Sequence, residues 1–482
     1  MNKYVLVSLL LLFVSNSSFS QIHDSIFRQY DIRGIVGAEF QITDAYNIGR
    51  SIATYFSRSN NSIKKVIVGA DARVHSPAIT QLVVQALRES GYDVISIGTC
   101  ATPVLYFTLH TQQVDAGVMI TASHNPGEYN GFKICIGKQS LYGPHIQELK
   151  HIIETDSFMP AHEQGSYSEL DANSLYLDYL VDAFAHLKNN QMPVVIDCGN
   201  GAAGTIIPQL IERMGWSNAC VMYAELDGTY PHHIADPTVE ANMIDLKHEV
   251  IKTNAVVGIG FDGDVDRMAP VTSSGRLIKG DMLLTIHAHH LLEKNPGATF
   301  VCDVTSSKAL YDAVMQWGGN MVMSQTGAVF VKQAIAQHNA ILGGEISCHT
   351  VFADRYLGFD DGFYSMMRLV ELLHESCQSL DELLETIPSL VSSPTYRIPC
   401  ARAECDQIVQ AIVEHYKSRD DAHLITIDGV RIHLPNGWAI VRASNTEPLI
   451  SIRVEGADEQ SLQLIKDELN QIMQPIASTI RL

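Results

Sequence analysis

The chain has 482 residues, 46% of them hydrophobic and 18% charged, with a formal net charge of −20. That length predicts roughly three or four globular domains, and the acidic balance excludes nucleic acid as an expected partner. Nine cysteines are scattered without a C-x-x-C pair, which argues against a disulfide framework or a zinc site.

At the front, Lys3 precedes the apolar run Tyr4 to Val14, and Ser18-Phe19-Ser20 before Gln21 fits a small-x-small cleavage site. Residues 1–20 therefore have the layout of a secretory signal, too short to favour a membrane span. Strand-then-turn signals recur at Val66 to Asp71, Val194 to Gly199 and Phe300 to Asp303. Each is a short apolar, β-branched run ending in a polar turn and followed by a helical pattern, which predicts three copies of one α/β plan. Glu163 to Asn173 reads as a linker. Glu459 to Met473 reads as one amphipathic helix stopped by Pro475, following a strand pair. A smaller α+β unit is therefore expected at the end.

Between these elements lie four segments with chemistry. After the apolar stretch Ala116 to Ile120 comes Ala122-Ser123-His124-Asn125-Pro126, with Tyr129-Asn130-Gly131-Phe132-Lys133 beyond it. A serine on an exposed turn at a strand end can carry a transferable group, although serine also caps turns. Gly258 to Arg267 places Asp262, Asp264 and Asp266 at alternate positions, so three hard oxygen ligands can converge as Mg²⁺ requires. A calcium loop of the EF-hand type fails, because Arg267 stands where its glycine should be and Ser273 where its glutamate should be. Arg267 could hold a phosphate beside the ion. In Gly343 to His349, Glu345, Ser347 and His349 alternate and suit sugar hydroxyls. In Gly437 to Pro448, Arg442, Ser444, Asn445 and Thr446 suit a phosphate dianion, with Arg453 beyond. Gly199 to Gly204 fits G-x-G-x-x-G after a strand, with Glu225 downstream; we read it as a tight strand-to-helix turn rather than a dinucleotide site.

These four segments, in this order, resemble the α-D-phosphohexomutase family, most closely its phosphomannomutase/phosphoglucomutase branch. The likeness runs from about Ser25 to the C-terminus and includes Phe27-Arg28-Gln29-Tyr30-Asp31-Ile32-Arg33-Gly34 and Asp360-Asp361-Gly362. The resemblance implies three related α/β domains with mixed sheets plus a smaller C-terminal α+β domain around a central cleft. Expected boundaries are 21–172, 173–276, 277–388 and 389–482. It implies reversible phosphoryl transfer between O1 and O6 of mannose or glucose phosphates, through phosphoserine and a hexose 1,6-bisphosphate that also acts as activator. Ser123 would carry the phosphoryl group. Asp262, Asp264 and Asp266, with a Ser123 phosphate oxygen, would bind one Mg²⁺ per subunit. Lys133 and Arg267 would stabilise charge, and Lys133, His124 and Arg33 are candidates to take the hydroxyl proton. Glu345 and Ser347 would select the sugar, with Tyr30 and His349 as further contacts. Arg442, Ser444, Asn445, Thr446 and Arg453 would hold the phosphate that is not transferred.

The chain departs from the family pattern in places. Gln325 and Ala328 stand where the family usually has a cation and a histidine, and Thr305 where this branch often has lysine. Ala70 and Ala72 replace an arginine and a glycine, and Val265 and Cys348 each replace a glycine. A sugar-phosphate-binding relative with impaired catalysis is therefore the alternative to a working mutase, and a dehydrogenase is a distant third. The substrate chemistry implies a cytoplasmic site of action, whereas residues 1–20 imply export. Monomer and dimer are both left open.

Overall fold

A computed structural model describes residues 22–59, 62–444, 448–477 and 480–482. The signal-like residues 1–20 lie outside them. Four sheets follow one another along the chain. In the first, the strands run in the order Ile32–Ile35, Tyr129–Ile136, Ala116–Ile120, Lys65–Ala70, Asp93–Thr99, Tyr167–Glu169, with Gln139–Ser140 paired to Tyr129–Ile136. The second is Met268–Thr272, Val257–Phe261, Val194–Asp197, Ala219–Met222. The third is Asn320–Ser324, Thr299–Asp303, Leu342–Gly344, Thr350–Phe352. Each of these three mixes parallel and antiparallel pairs. The expected strand signals all form strands, Lys65–Ala70, Val194–Asp197 and Thr299–Asp303. Val66 to Val68, Val194 to Ile196 and Phe300 to Cys302 are buried, as β-branched runs covered on both faces must be.

The fourth sheet is antiparallel: Val391–Ser392, Leu449–Gly456, Gly437–Ala443, Val430–Leu434, His423–Ile425, with Tyr396–Pro399 also on Leu449–Gly456. Helices Arg402–Tyr416 and Glu459–Met473 cover it, the second over the span expected from its pattern. Asp458 caps it by accepting from the Ser461 N–H.

The candidate linker, residues 163–173, is ordered: Val94 to Ser96 pair in parallel with Tyr167 to Glu169, and the helix Ala172–Ala183 starts at once, capped by Asp171. The exposed edge of Asp93–Thr99 captures the chain because its N–H and C=O groups need partners.

One apolar core runs from Ile67 and Leu105 through Ile196 and Phe261 to Phe300 and Phe363. Separate clusters fill the other face of the first sheet, around Phe56 and Phe132, and the fourth unit, around Ile408, Val441 and Leu469. Trp438 is fully buried where the fourth unit meets the third. Its indole N–H donates to Glu455 at 2.6 Å, and the Arg431 guanidinium lies 3.7 Å from its ring centroid. Arg431 in turn donates to the carbonyls of Val304 and Ser306, each at 2.6 Å. No helix among the described residues is long and apolar enough to cross a membrane.

Candidate active site

The loops that leave Ala116–Ile120, Val257–Phe261 and Leu342–Gly344 converge on a cleft of about 430 Å³. Side chains of Tyr30, Arg33, Ser123, His124, Lys133, Asp266, Arg267, Glu345, Ser347, His349, Arg442 and Ser444 line it, all expected site residues.

Ser123 is buried at 1% exposure rather than on the exposed turn expected, and has φ +50°, a left-handed conformation that side chains adopt at some cost. Its surroundings hold it there. Its N–H donates to Thr121 Oγ1 at 2.9 Å, and that hydroxyl donates to Asp71 Oδ2 at 2.8 Å. Arg73, itself buried, gathers the loop: it donates to the carbonyls of Ser123 (2.8 Å), Asn125 (2.6 Å), Pro126 (2.6 Å) and Tyr129 (3.0 Å) while paired to Asp71. The Ser123 hydroxyl donates to Asp262 Oδ2 at 2.9 Å and lies 3.1 Å from His124 Nδ1. Gly263 makes this approach possible, since a Cβ there would stand 2.5 Å from the Ser123 carbonyl oxygen.

Asp262, Asp264 and Asp266 are buried, with carboxylate oxygens within 4.8 Å of one another. Asp264 Oδ1 has no hydrogen-bond partner among the described residues. An orphaned buried carboxylate oxygen at the meeting point of three hard donors fits a small divalent cation. Burial first, then Asp266 and Asp264, push the Asp262 carboxyl well above its usual range. Burial also lifts Asp266, but Lys133, His349 and Arg267 outweigh it and hold that carboxyl well below. Lys133 Nζ donates to Asp264 Oδ2 at 2.6 Å and also to Asp266. Burial lowers Lys133, yet these two carboxylates raise it well above an ordinary lysine. Burial, Arg267 and Arg33 hold His124 well below its usual value, so its imidazole is neutral. Arg33 is anchored to Asp31 and donates to Asn125 Oδ1 at 2.7 Å.

Glu345, Ser347 and His349 do converge, but through a turn rather than along an extended strand. The strand stops at Gly344, the chain turns back into the antiparallel strand Thr350–Phe352, and Cys348 between them has φ +70°. His349 Nδ1 lies 2.8 Å from Glu345 Oε2, and Nε2 lies 3.2 Å from Asp266 Oδ1. Burial lowers this imidazole, but Asp266 and the hydrogen bonds to Asp266 and Glu345 raise it to about 9. Glu345 Oε1 accepts the Gly327 N–H at 2.5 Å, and Tyr30 donates to the Thr326 carbonyl at 2.7 Å. A second convergence, Asp266, His349 and Asp360, is already served by cations: Lys332 Nζ lies 2.8 Å from Asp360 and Arg267 Nε 3.9 Å from Asp266.

Arg453 stands apart from the expected site. It does not line the cleft; it is buried against Asp281 at 3.3 Å and the Thr305 carbonyl at 2.9 Å, and pairs with Glu455. On a strand, Arg453 lies opposite Ile440 rather than at the loop end, which turns it toward the third domain. Asn445 and Thr446 lie outside the described residues.

The departures have structural consequences. Val265 (φ +65°) and Cys348 (φ +70°) hold left-handed conformations that a glycine adopts freely. Gln325 donates to the Ile427 carbonyl at 3.0 Å, and Ala328 opens the helix Ala328–His338 at the cleft wall. The glycine run 199–204 supports the carboxylate loop: Ala202 N–H donates to the Gly263 carbonyl at 2.9 Å, and a Cβ on Gly201 would meet that oxygen at 2.8 Å. Arg73, Lys332 and Asp360 escaped the sequence reading as site residues. Asp71-x-Arg73 at a strand end was the available signal for the first, and the Asp360-Asp361-Gly362 run for the last.

Comparison with known proteins matches four consecutive family models, described as phosphoglucomutase/phosphomannomutase alpha/beta/alpha domains I (24–159), II (174–275) and III (279–390) and the C-terminal domain (397–472). A phosphomannomutase/phosphoglucomutase of Pseudomonas syringae pv. tomato is 38% identical over 95% of this chain and 97% of its own length. A phosphoglucomutase of Neisseria gonorrhoeae is 35% identical over 94% of this chain and 98% of its own. The solved structure of a phosphoglucomutase/phosphomannomutase family protein from Burkholderia thailandensis superposes with a TM-score of 0.87 at 32% identity, covering 95% of this chain and 99% of that one. Fold and site thus define a four-domain α/β enzyme architecture with its chemistry in a central cleft. The chain belongs to the phosphoglucomutase/phosphomannomutase family, the α-D-phosphohexomutases.

Proposed function

We propose that this chain catalyses reversible phosphoryl transfer between O1 and O6 of glucose and mannose phosphates, with Ser123 as the phosphoryl carrier and a hexose 1,6-bisphosphate as intermediate and activator. The observation that carries the reading is the junction of two domains at one atom pair. The Ser123 hydroxyl on the first domain lies 2.9 Å from Asp262 on the second, within a cluster of carboxylates that suits Mg²⁺. The names and near-complete coverage of the relatives support it.

In the first transfer, the phosphoserine P–O bond breaks as a sugar hydroxyl attacks phosphorus. The sugar proton leaves to a base and the Ser123 oxygen departs. The departing Ser123 oxygen takes up a proton and the bisphosphate turns within the cleft. The Ser123 hydroxyl then gives its proton to the base and attacks phosphorus of the other phosphate. The bond from that phosphorus to the sugar oxygen breaks, the sugar oxygen is protonated, and phosphoserine is restored. Mg²⁺ held by Asp262, Asp264 and Asp266 would neutralise charge on the moving group. Lys133 and Arg267 border the same region and supply fixed positive charge. His124, Lys133 and Arg33 line the cleft as base candidates; burial, Arg267 and Arg33 weaken the His124 imidazole as a proton acceptor, while Asp264 and Asp266 hold Lys133 protonated. Glu345, Ser347 and His349 would orient sugar hydroxyls, and Arg442 with Ser444 the phosphate that stays. We propose domain limits at 172/173, 276/277 and 388/389, which fall between the matched family models or at their edges.

The enzymatic reading is favoured over an impaired binder because serine, carboxylates, Lys133 and Arg267 converge on one cleft. We also propose a cytoplasmic site of action, since the substrates are phosphorylated sugars; the first residue of the native protein tests it against cleavage after Ser20. The functional test uses protein lacking residues 1–20, with Mg²⁺ and bisphosphate primer, on mannose 1-phosphate and glucose 1-phosphate. Turnover that disappears with Ser123→Ala supports the proposal. A well-folded parent without turnover sinks it.

A further inference from the structure

A single carboxylate ties the phosphate end of the cleft to its sugar end. Asp428 sits on the turn before Val430–Leu434, and its Oδ2 lies 3.2 Å from Arg442 Nε. The same oxygen accepts the Thr326 N–H at 3.2 Å, while the neighbouring Gln325 donates to the Ile427 carbonyl. One residue further, Gly327 N–H donates to Glu345. The turn is pressed against its strand: Gly429 has φ +73°, and a Cβ there would stand 2.5 Å from Arg442 Cβ and 2.4 Å from the Val441 carbonyl oxygen. Yet Arg442 Nε is buried with no aligned hydrogen-bond acceptor among the described residues. The guanidinium is neutralised by Asp428 without being satisfied by it.

We infer that Asp428 is a positioning residue that competes with the substrate's retained phosphate for Arg442, and so promotes release of that phosphate between the two transfers. The inference rests on the proposed mutase reading, in which one sugar presents first one phosphate and then the other to Ser123. A phosphate seated on Arg442 gains charge-assisted hydrogen bonds that Asp428 cannot offer from its present angle. It also meets a carboxylate beside it, and like charges at this range repel. Asp428 keeps a second donor, the Thr326 N–H, so it can give up the arginine and take it back without being stranded. A grip without this rival would hold the intermediate too well. Binding that is equally strong at every stage lowers KM without raising turnover.

Asp428→Asn isolates the charge, because an amide oxygen still accepts from Thr326. We expect both KM for glucose 1-phosphate and kcat to fall, each by about three- to tenfold, the size of one charge-assisted contact. Asp428→Glu should move both values back toward the parent. Damage to structure alone would raise KM instead. A binding arm separates this inference from the mutase reading. In a Ser123→Ala background, glucose 6-phosphate titrated by calorimetry should bind about tenfold more tightly when Asp428→Asn is added. Should the parent show no turnover, the mutase reading falls, and the titration alone decides on Asp428. Unchanged or weaker binding, or a raised KM, would overturn the competition and leave Asp428 as a fixed strut.

Discussion

Lys133 Nζ on the first domain lies 2.6 Å from Asp264 Oδ2 on the second and bonds to Asp266 as well. The lysine is thus the counter-ion of a buried carboxylate cluster to which it is not linked locally in sequence. Three carboxylates within 4.8 Å cannot all stay ionised in a dry site without such a charge.

Replacing Lys133 by Met should therefore strand the cluster. Breaking a buried pair by removing one partner costs about 3–5 kcal/mol, so the variant should unfold earlier in the presence of chelator. Mg²⁺ would then restore more stability to the variant than to the parent, since it supplies the lost charge. Thermal unfolding with and without Mg²⁺ checks this, and equal metal-induced shifts in the two proteins would count against the shared-charge account. Turnover should fall in either case.

Arg73→Lys should be damaging although it keeps the charge. The guanidinium serves four carbonyls and Asp71 at once, and an ammonium cannot reproduce that planar fork. Each carbonyl left without a partner costs roughly 1–3 kcal/mol if it stays dry, so a loss of about 2–4 kcal/mol is expected after partial rearrangement. The left-handed Ser123 would lose its support, and kcat should fall more than KM changes. A variant with parental kcat would show that the serine loop holds itself.

Asp361 offers a pH signature away from the carboxylate cluster. Burial lifts its carboxyl from 3.8 to about 6, against the pull of the Tyr176 and Tyr356 hydroxyls that donate to it. The folded protein then keeps a proton that the unfolded chain has already released. Stability from this group is fully present below about pH 4 and is lost as pH rises toward 6. Asp361→Asn retains the cap on Tyr364 N–H but does not titrate. The stability advantage of the parent over this variant should shrink between pH 4 and 6, by at most about 3 kcal/mol. Urea unfolding at pH 4, 5 and 6 measures it; a constant difference would refute the titration.

Much of the site was legible because its groups are close along the chain. Asp262, Asp264 and Asp266 alternate on one loop, and Ser123 sits beside His124 on a turn that follows an apolar strand. The α/β plan was legible at Val66, Val194 and Phe300 because buried parallel strands need short β-branched runs. Arg73 and Asp428 were not legible as working residues. Arg73 acts on carbonyls some fifty residues away, and Asp428 acts on Arg442 and on Thr326 across a domain boundary. Arg453 misled by proximity in sequence, since the facing of a strand turned it into the interface with the third domain. Residues 163–173 were legible as a connection between domains, but their pairing with Val94 to Ser96 was not, because pairing at a sheet edge is a backbone property that side chains report poorly.

The continuity of the core has a mechanical consequence. Ile67, Phe261 and Phe363 belong to one apolar mass, so the first three domains share their cohesion although their sheets are separate. The fourth domain closes its own core around Val441 and Leu469. It meets the rest through the hydrogen-bonded seam of Arg431, Trp438 and Arg453 and a small cluster of Val304, Trp438 and Ile440. The molecule should therefore melt as two bodies rather than four, one of roughly three hundred and seventy residues and one of about ninety. The boundary between them runs along the wall of the cleft, where Thr326 and Gly327 face Arg442 and Ser444.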